Sequence, residues 1–418
     1  MSKPTISFNT LGCRLNQSET VIIERNFELN GYNVVHFNQP ADIAVINTCT
    51  VTENGDSDAR WLVNKVSRLN PHVRIALIGC QAQIQKEQLL KWPNVQWVVG
   101  NASKMNLMVI IREESSNPQV IVPTIDRKPF TMPWTGIDPH HKRANLKIQD
   151  GCDFFCSFCE IPYARGRARS RIFEDILLEA KALVASGHKE VVLTGINIGT
   201  YDYDHKTLLD IIDALEQVDG LYRIRISSIE PTTIPKELIE KMAKATKLCR
   251  HLHIPLQSAN NEILTAMKRK YSKEEFRNFI EMAHERVNQI CIGTDVIVGF
   301  PGETDEQFEE TYEVLRDWPI HYIHAFSYSQ RHLAKSQGFS NPVDPQIIHK
   351  RSESLRNLSQ RKRDSFDQSL SGTTQKVLFE GEKNGFWTGV TDNYVRVSLK
   401  SDQNLKNQLL SVKLYPRQ

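Results

Sequence analysis

The sequence predicts an α/β protein in three parts: an N-terminal doubly wound parallel-sheet domain, a central open (β/α)6 partial barrel, and a small C-terminal β-barrel. Three observations predict it. From residue 1 to about 115, short apolar or β-branched runs alternate with amphipathic segments. The alternation resumes six times between about 145 and 330. After Gly372, short strand patterns follow one another around turn residues such as Asn384-Gly385. The expected boundaries are 1–115 for the first domain, 116–143 for a proline-bearing linker, 144–335 for the barrel, 336–371 for a basic helical connector and 372–418 for the tail.

Composition narrows the class. The chain has 418 residues, 40% hydrophobic and 24% charged, which fits a globular protein with real cores. A net charge of +3 says little about partners. No apolar run approaches the ~18 residues of a membrane span. Met1-Ser2-Lys3-Pro4-Thr5 carries no signal-peptide core before a strand pattern begins. A cytoplasmic, reducing location without membrane contact is the expectation. There, the eight cysteines are ligands, catalytic groups or core residues rather than disulfides.

In the first domain, TISFNTLGC ends at Cys13, ADIAVINTC at Cys49 and RIALIGC at Cys80. Each run reads as a buried parallel strand. Helical patterns follow and stop near Gly31, before Pro71 and before Pro93. Ligands of such sheets gather at the carboxyl ends of the strands. Three thiols far apart in sequence could therefore meet in space. Three buried small side chains would give the same spacing. The position just past each strand, in loops containing Gly12 or Gly79, favours ligands.

In the second domain, strands are expected at 145–150, 190–195, 222–228, 251–256, 293–299 and 321–327, with helices such as 174–187 and 272–287 between them. Six units are too few for an eightfold barrel, and β/α barrels keep their chemistry at the carboxyl ends of the strands. Those ends are polar or glycine-rich here, as in Gln149-Asp150-Gly151, Thr194-Gly195-Ile196-Asn197 and Ser227-Ser228-Ile229-Glu230.

DGCDFFCSFCEIPYARGRARSR follows the first barrel strand and places Cys152, Cys156 and Cys159 within eight positions. Iron–sulfur clusters are normally held by four cysteines. Three would leave one iron open to a chelating small molecule. A zinc ribbon on Cys156 and Cys159 needs a second close pair. Cys249 and Cys291 stand alone and are expected to be core or incidental.

CxxxCxxC after the first strand of a β/α barrel resembles the radical S-adenosylmethionine enzymes. That resemblance implies a 4Fe-4S cluster whose open iron binds the amino and carboxylate groups of S-adenosylmethionine. Reductive cleavage of the S–C5′ bond then gives a 5′-deoxyadenosyl radical. The three-cysteine first domain, LTGINIG, RISSIEP, HIPLQSANNEILTAMKRKY and TDVIVGFPGETDEQFEET together are similar to the methylthiotransferase family over nearly the whole chain. The family implies a second 4Fe-4S cluster on Cys13, Cys49 and Cys80, which holds the sulfur to be inserted.

TLGCRLNQSE, PYARGRARSR, LTGINIGTY and ISSIEP are similar to the branch acting on threonylcarbamoyladenosine of tRNA. The expected reaction adds a methylthio group to carbon-2 of that nucleoside, next to the anticodon. The other branches act on isopentenyladenosine or on a ribosomal-protein aspartate. A non-catalytic, metal-containing RNA-binding protein is a different class, and would need four-ligand sites that the cysteine count does not supply. The expected partners are the tRNA anticodon stem-loop, an electron donor such as flavodoxin or ferredoxin, and a sulfur source. The chain departs from the family twice. SYSQRHLAKSQG (327–338) lacks a Gly-Thr-x-Ala stretch, and Glu160 stands where aliphatic residues are usual.

By resemblance, Phe158 packs on the cofactor's adenine, and Thr194, Gly195 and Asn197 line its methionine side. Ser228 and Glu230 face its ribose or amino group, and Val298, Gly299 and Pro301 bound its adenine. No residue is assigned as acid or base, because hydrogen abstraction falls to the cofactor radical. Arg165, Arg167, Arg169 and Arg171 would share one face if extended. Together with His140, His141, Lys142 and Arg143 they read as a phosphate-contacting rim for RNA. A solvated strand, or Arg169 or Arg171 paired with an acid, is the structural alternative. Residues 345–370 look like a basic amphipathic helix carrying Arg361-Lys362-Arg363. The tail resembles the RNA-binding TRAM β-barrel. Phe386, Trp387 and Tyr394 are its candidates for base stacking, with at least one expected in the small core.

Overall fold

The computed structural model describes residues 3–51, 53–113, 117–244 and 246–415. Its first sheet has six parallel strands in the order Asn33–Val35, Thr5–Thr10, Ile43–Thr48, Arg74–Gly79, Val95–Val99, Gln119–Ile121. Alternate residues of each strand serve opposite faces. Ile43, Val45, Ala76 and Ile78 pack on Ile23 and Phe27 of helix Arg14–Leu29. Ala44, Ile46, Ile75 and Leu77 pack on Leu62, Val63 and Val66 of helix Glu53–Leu69. Strand order reverses between Thr5–Thr10 and Ile43–Thr48, the switch point where such sheets open a crevice at their carboxyl ends. The sixth strand, Gln119–Ile121, lies inside the segment expected to be linker. It is short, half-buried and flanked by Pro118 and Pro123, so its pattern was not readable as a strand.

The barrel is built from two three-stranded parallel sheets. One holds Arg143–Lys147, Glu190–Thr194 and Arg223–Ile226; the other holds His251–His253, Cys291–Val298 and Tyr322–Ser327. Single bridges, Ile224 to Leu248 and Ser228 to His253, join them into one arc of six. Among the described residues the two outer strands do not pair, so the barrel is open, as expected. Helix Arg14–Leu29 packs at the first outer strand and helix Pro345–Ser369 at the last. Helix starts follow the sequence: Ser272 with Glu275 and Thr304 with Gln307 form capping boxes. Cys249 and Cys291 are buried in the core, as expected.

The tail is a four-stranded antiparallel half-barrel in the order Arg396–Lys400, Phe386–Thr391, Thr374–Lys383, Leu409–Lys413. Asn384 and Gly385 both have positive φ, 55° and 80°, and close the predicted hairpin. The loop after Phe386–Thr391 docks on the amino-terminal end of the barrel. Arg225 donates to the carbonyls of Thr391 (3.1 Å) and Asp392 (2.9 Å), and Arg223 to those of Val390 (3.0 Å) and Lys376 (2.6 Å). Both arginines also pair with the fully buried Glu190. The tail therefore closes the bottom of the barrel and leaves the cysteine end free.

Arg225→Leu should leave the buried Glu190 carboxylate with only its longer contact to Arg223 (3.4 Å) and strip two hydrogen bonds from the docked tail. The expected loss is about 3–5 kcal/mol, visible as a lower thermal unfolding midpoint of the cluster-free chain.

Candidate active site

The three N-terminal cysteines meet at the switch point. Cys13 caps helix Arg14–Leu29, Cys49 follows the fully buried strand Ile43–Thr48, and Cys80 opens helix Cys80–Gln85. A Cβ on Gly12 would lie 2.6 Å from Cys49 Sγ, so only glycine lets the first loop pass the second. Burial first, then the neighbouring Cys80 and Cys13 thiols, push the Cys49 thiol up to about 12. Asn101 Nδ2 donates to Cys80 Sγ (3.5 Å) and to the Ala164 carbonyl (2.7 Å), reaching from this trio into the barrel loop.

The second trio occupies the loop after the first barrel strand. Gly151 has φ +72°, and a Cβ there would lie 2.0 Å from the Arg167 carbonyl oxygen. Burial raises all three thiols, Cys152 to about 11. Backbone N–H groups of Phe154 and Ile161 point at Cys152 Sγ (3.5 Å) and Cys159 Sγ (3.4 Å). Arg269 donates to Cys156 Sγ at 3.2 Å and also pairs with Glu230. Hydrogen bonds to cluster sulfurs are a lever on reduction potential. Nothing in the spacing pointed to Arg269; it lies 113 residues from Cys156.

Each trio offers three thiols, and the two remaining cysteines, Cys249 and Cys291, lie in the core, which fits a cubane cluster with one open iron. Electrostatics fit as well. Arg165 and Lys104 are buried beside Cys80 and gain from its charge.

The residues expected around the cofactor divide. Thr194 and Asn197 are buried at the barrel mouth, and Thr194 Oγ1 and Asn197 Nδ2 have no protein partner. Gln149 Oε1 accepts from the backbone N–H of Ile196 and Asn197, both at 2.9 Å, and its Nε2 donates to the Gly151 carbonyl. This ties the Gly195 loop to the start of the cysteine loop. Phe158 packs against the cluster of Ile263, Met267 and Phe300, as Ile297 does. Ser228 is exposed and Pro301 half-buried at the mouth. Val298 and Gly299 turn the other way: Val298 lies in the main core, and a Cβ on Gly299 would meet Ile348. Strand alternation puts Ile297, not Val298, on the lumen side.

The arginine rim is corrected. The four arginines do not share an extended face, because helix Ile161–Arg165 ends at Gly166 with φ +76°. Arg165 is 0% exposed and binds Glu19 (2.9 Å), Asp150 (3.0 Å) and Asn16 (2.6 Å). Arg171 is also 0% exposed and pairs with Asp175 (2.6 Å) and Glu179. Arg169 pairs with Asp150 at 3.2 Å. Only Arg167 reaches solvent, beside Asp153 and over the Phe155 ring. His140, His141 and Arg143 are occupied by Glu24, Asp138 and Glu380. In the tail, Phe386 is exposed, whereas Trp387 packs on the small core. Tyr394 stacks on His251 at 4.4 Å in the barrel floor and is not free to stack on RNA. Arg361, Lys362 and Arg363 bind Tyr312, the Trp318 carbonyl and the Tyr394 carbonyl, fastening their helix to the barrel and tail.

Both departures from the family fall at one place. Glu160 is 3% exposed and accepts from Thr50 Oγ1 (2.9 Å), Arg331 Nε (3.3 Å) and the Leu333 backbone N–H (2.7 Å). Arg331 in turn binds Asp56 (2.9 Å) and Thr50 (3.0 Å). Thr50 follows Cys49 and Glu160 follows Cys159. This buried brace joins the two cysteine loops and the atypical 327–338 segment.

With the two trios thus placed, comparison with known proteins is decisive. The Radical SAM superfamily profile matches residues 146–315, and that of Uncharacterized protein family UPF0004 matches 5–100. The chain is 36% identical to the threonylcarbamoyladenosine tRNA methylthiotransferase MtaB of Bacillus subtilis, over 98% of this chain and 93% of that one. It is 38% identical to the protein of the same name from Aquifex aeolicus, over 94% and 96%. The chain belongs to the radical S-adenosylmethionine methylthiotransferase family. Another relative, a tRNA-2-methylthio-N(6)-dimethylallyladenosine synthase of Finegoldia magna, is 32% identical over 98% of this chain and 92% of that one. Among solved structures, the radical S-adenosylmethionine methyltransferase TsrM of Kitasatospora setae matches with TM-score 0.58 at 14% identity, covering 78% of this chain and 75% of that one. This likeness concerns the fold alone. Methylthiotransferases of this family use S-adenosylmethionine and two 4Fe-4S clusters, which accounts for two trios, each one ligand short.

Two outcomes follow from the geometry. Arg165→Met should destabilise the cluster-free chain by about 1–3 kcal/mol, because Asn16 Oδ1 loses its charged donor and both carboxylates lose one of their three cationic partners, while Arg167→Ala leaves the thermal midpoint unchanged. Glu160→Leu should speed hydrogen exchange at the Leu333 amide, measured by mass spectrometry on the cluster-free chain; unchanged exchange would show that the brace does not hold that segment.

Proposed function

We propose that this methylthiotransferase acts on tRNA and adds a methylthio group to carbon-2 of threonylcarbamoyladenosine beside the anticodon. The observation that carries the reaction is the joining of two incomplete cysteine trios by one buried brace. Relatives at 36% and 38% identity named for threonylcarbamoyladenosine, against 32% for one named for dimethylallyladenosine, support the branch.

Cys152, Cys156 and Cys159 would hold the cluster that binds S-adenosylmethionine; Cys13, Cys49 and Cys80 would hold the second. When bound, these groups supply a 5′-deoxyadenosyl radical and the sulfur for insertion. The chain's own residues position and enclose. Thr194 Oγ1 and Asn197 Nδ2 are buried polar atoms awaiting a partner at the mouth, which suits the polar methionine end of the cofactor. Glu230 is held by Arg269, so the pair can meet the cofactor's amino group or ribose without an isolated buried charge. Phe158 lies in an apolar cluster that suits an adenine face. No side chain is needed to remove a proton; the protein orients the reactants and excludes water.

The tail supports an RNA partner. Its half-barrel resembles a TRAM module, and a cleft of about 1390 Å³ between it and helix Pro345–Ser369 is lined by Phe386, Arg396, Lys413 and Tyr415. Among Phe386, Trp387 and Tyr394, the exposure of Phe386 supports it as the one that stacks on a base. An electron donor such as flavodoxin or ferredoxin, a sulfur source and a cytoplasmic setting complete the reading. Among the described residues no helix is long and apolar enough to cross a membrane.

Mass spectrometry of tRNA nucleosides from the host with and without this gene tests the substrate. Loss of 2-methylthio-threonylcarbamoyladenosine, with its unthiolated parent accumulating, is expected; loss of the isopentenyl counterpart would move the chain to the other tRNA branch. Cys156→Ala should abolish 5′-deoxyadenosine formation. Cys49→Ala should retain part of it while yielding no methylthiolated nucleoside; product from that variant would overturn the role of the N-terminal trio.

A further inference from the structure

The barrel lumen holds a polar and aromatic wall that the cofactor reading does not use. On the last strand, Ile323 and Ala325 pack with the main core on the outer side. Tyr322, His324 and Phe326 therefore face the lumen. Their register partners Gly293, Asp295 and Ile297 share that face. A Cβ on Gly293 would lie 2.0 Å from the Tyr322 ring, so the glycine makes room for it.

These side chains form one connected chain of polar contacts. A carboxylate only accepts, so His253 Nε2 (2.8 Å) and His324 Nδ1 (3.2 Å) both donate to Asp295 Oδ1. His253 Nδ1 lies 3.0 Å from the Tyr322 hydroxyl, and His251 Nε2 lies 2.8 Å from the same hydroxyl. The far end is free. With Nδ1 turned to Asp295, Nε2 of His324 is the ring nitrogen left for a ligand, and its side chain is 56% exposed. Phe326, two residues on, is 40% exposed although it lies on an inner face. A phenyl ring left open beside a fixed imidazole has the make-up of a base-stacking platform.

A second observation lies on the other outer strand. Ala144 and Leu146 pack outward into the main core, which puts Asn145 on the lumen side. Asn145 is 6% exposed, and neither its amide oxygen nor its nitrogen has a partner. A buried amide without partners is costly unless a ligand supplies them. An asparagine amide matches the paired donor and acceptor of an adenine edge. The lumen also adjoins the chemistry, because Ile297, the register partner of Phe326, packs against the same Ile263, Met267 and Phe300 cluster as Phe158 of the cysteine loop.

We infer that the open side of the barrel is a binding site for one unpaired purine nucleoside of RNA, stacked on Phe326, hydrogen-bonded by His324 Nε2 and read by the Asn145 amide. The inference rests on the proposed tRNA substrate. Chemistry on a base requires taking it out of its stack, and the enzyme must supply a replacement surface. Phe326 would provide that surface at the one edge where the six-stranded arc leaves the lumen accessible.

The test uses the full-length, cluster-loaded enzyme and two probes. The first is an anticodon stem-loop with 2-aminopurine at the position of the modified adenosine, read by fluorescence. The second is a stem-loop carrying threonylcarbamoyladenosine, read by methylthiolated product. Wild type should quench 2-aminopurine on binding; Phe326→Ala should lose the quench and raise KM roughly 10–100-fold, the range of one lost base stack. Phe326→Trp should restore both. Asn145→Leu should raise KM while preserving the quench. No quench by wild type, or a Phe326→Ala KM equal to wild type, overturns the site. Phe326-dependent quenching without methylthiolated product from wild type would sustain the site and count against the proposed reaction instead.

Discussion

A buried ionic cluster at the seam of the first two domains is the constraint on which the rest depends. Glu19 of the first helix meets Lys104 (2.6 Å), Lys147 (2.7 Å) and Arg165 (2.9 Å), and Asp150 meets Lys147 (2.7 Å), Arg165 (3.0 Å) and Arg169 (3.2 Å). Two carboxylates thus face four cations. A balanced buried cluster is often no more stable than apolar packing of the same volume. This one is unbalanced, and the surplus is positive. Its charge lies beside Cys80 and Cys49, where thiolates must be kept without water to solvate them. Burial and the neighbouring thiols oppose a Cys49 thiolate, and Arg165 offsets only a small part of that opposition. The same cations hold the Glu19 carboxyl well below its ordinary range although burial alone would raise it. The charges that fix the domain seam therefore also act on the N-terminal trio.

The seam also explains how loops from distant parts of the sequence keep a fixed relation. Asp150 and Lys147 belong to the barrel's first strand region, Glu19 and Asn16 to the helix that Cys13 caps, and Arg165 to the end of the CxxxCxxC loop. Gln149, next to Asp150, carries the constraint onward to the Gly195 loop through two backbone N–H groups. Each step uses a buried side chain with more than one partner, so no element can shift without leaving a polar group unsatisfied.

Much of this was legible in the chain. Strands followed by Cys13, Cys49 and Cys80 could be read because a buried parallel strand is a continuous apolar run with a sharp end. The six barrel units and the Asn384-Gly385 hairpin were legible for similar local reasons. Partner identity was not. Arg165, Arg167, Arg169 and Arg171 alternate as a surface strand would, yet Gly166 breaks the register, and Glu19, 146 residues away, decides which of them is buried. Tyr394 looked like its tail neighbours until the barrel floor supplied His251 and Arg225. Arg269, Arg331 and Asn145 carried no signal at all, since their meaning lies in atoms brought near only by the fold. The strand Gln119–Ile121 was hidden by its prolines and by an edge position that asks for little hydrophobicity.

The two departures from the family pattern are better understood as one. An aliphatic residue after the third cysteine would leave the Leu333 backbone N–H without the acceptor it has here, and a buried amide without a partner costs about 1–3 kcal/mol. Conversely, Glu160 without Arg331 and Thr50 would be a buried carboxylate with no compensation. The unusual residue and the unusual segment therefore satisfy each other. Arg331 extends the arrangement to Asp56, so the bond network that replaces the family's loop also reaches the helix behind Cys49. The departure leaves every cysteine in place. It changes only the material that holds one trio against the other, which a chemistry shared between two trios can tolerate as long as the loops remain bound.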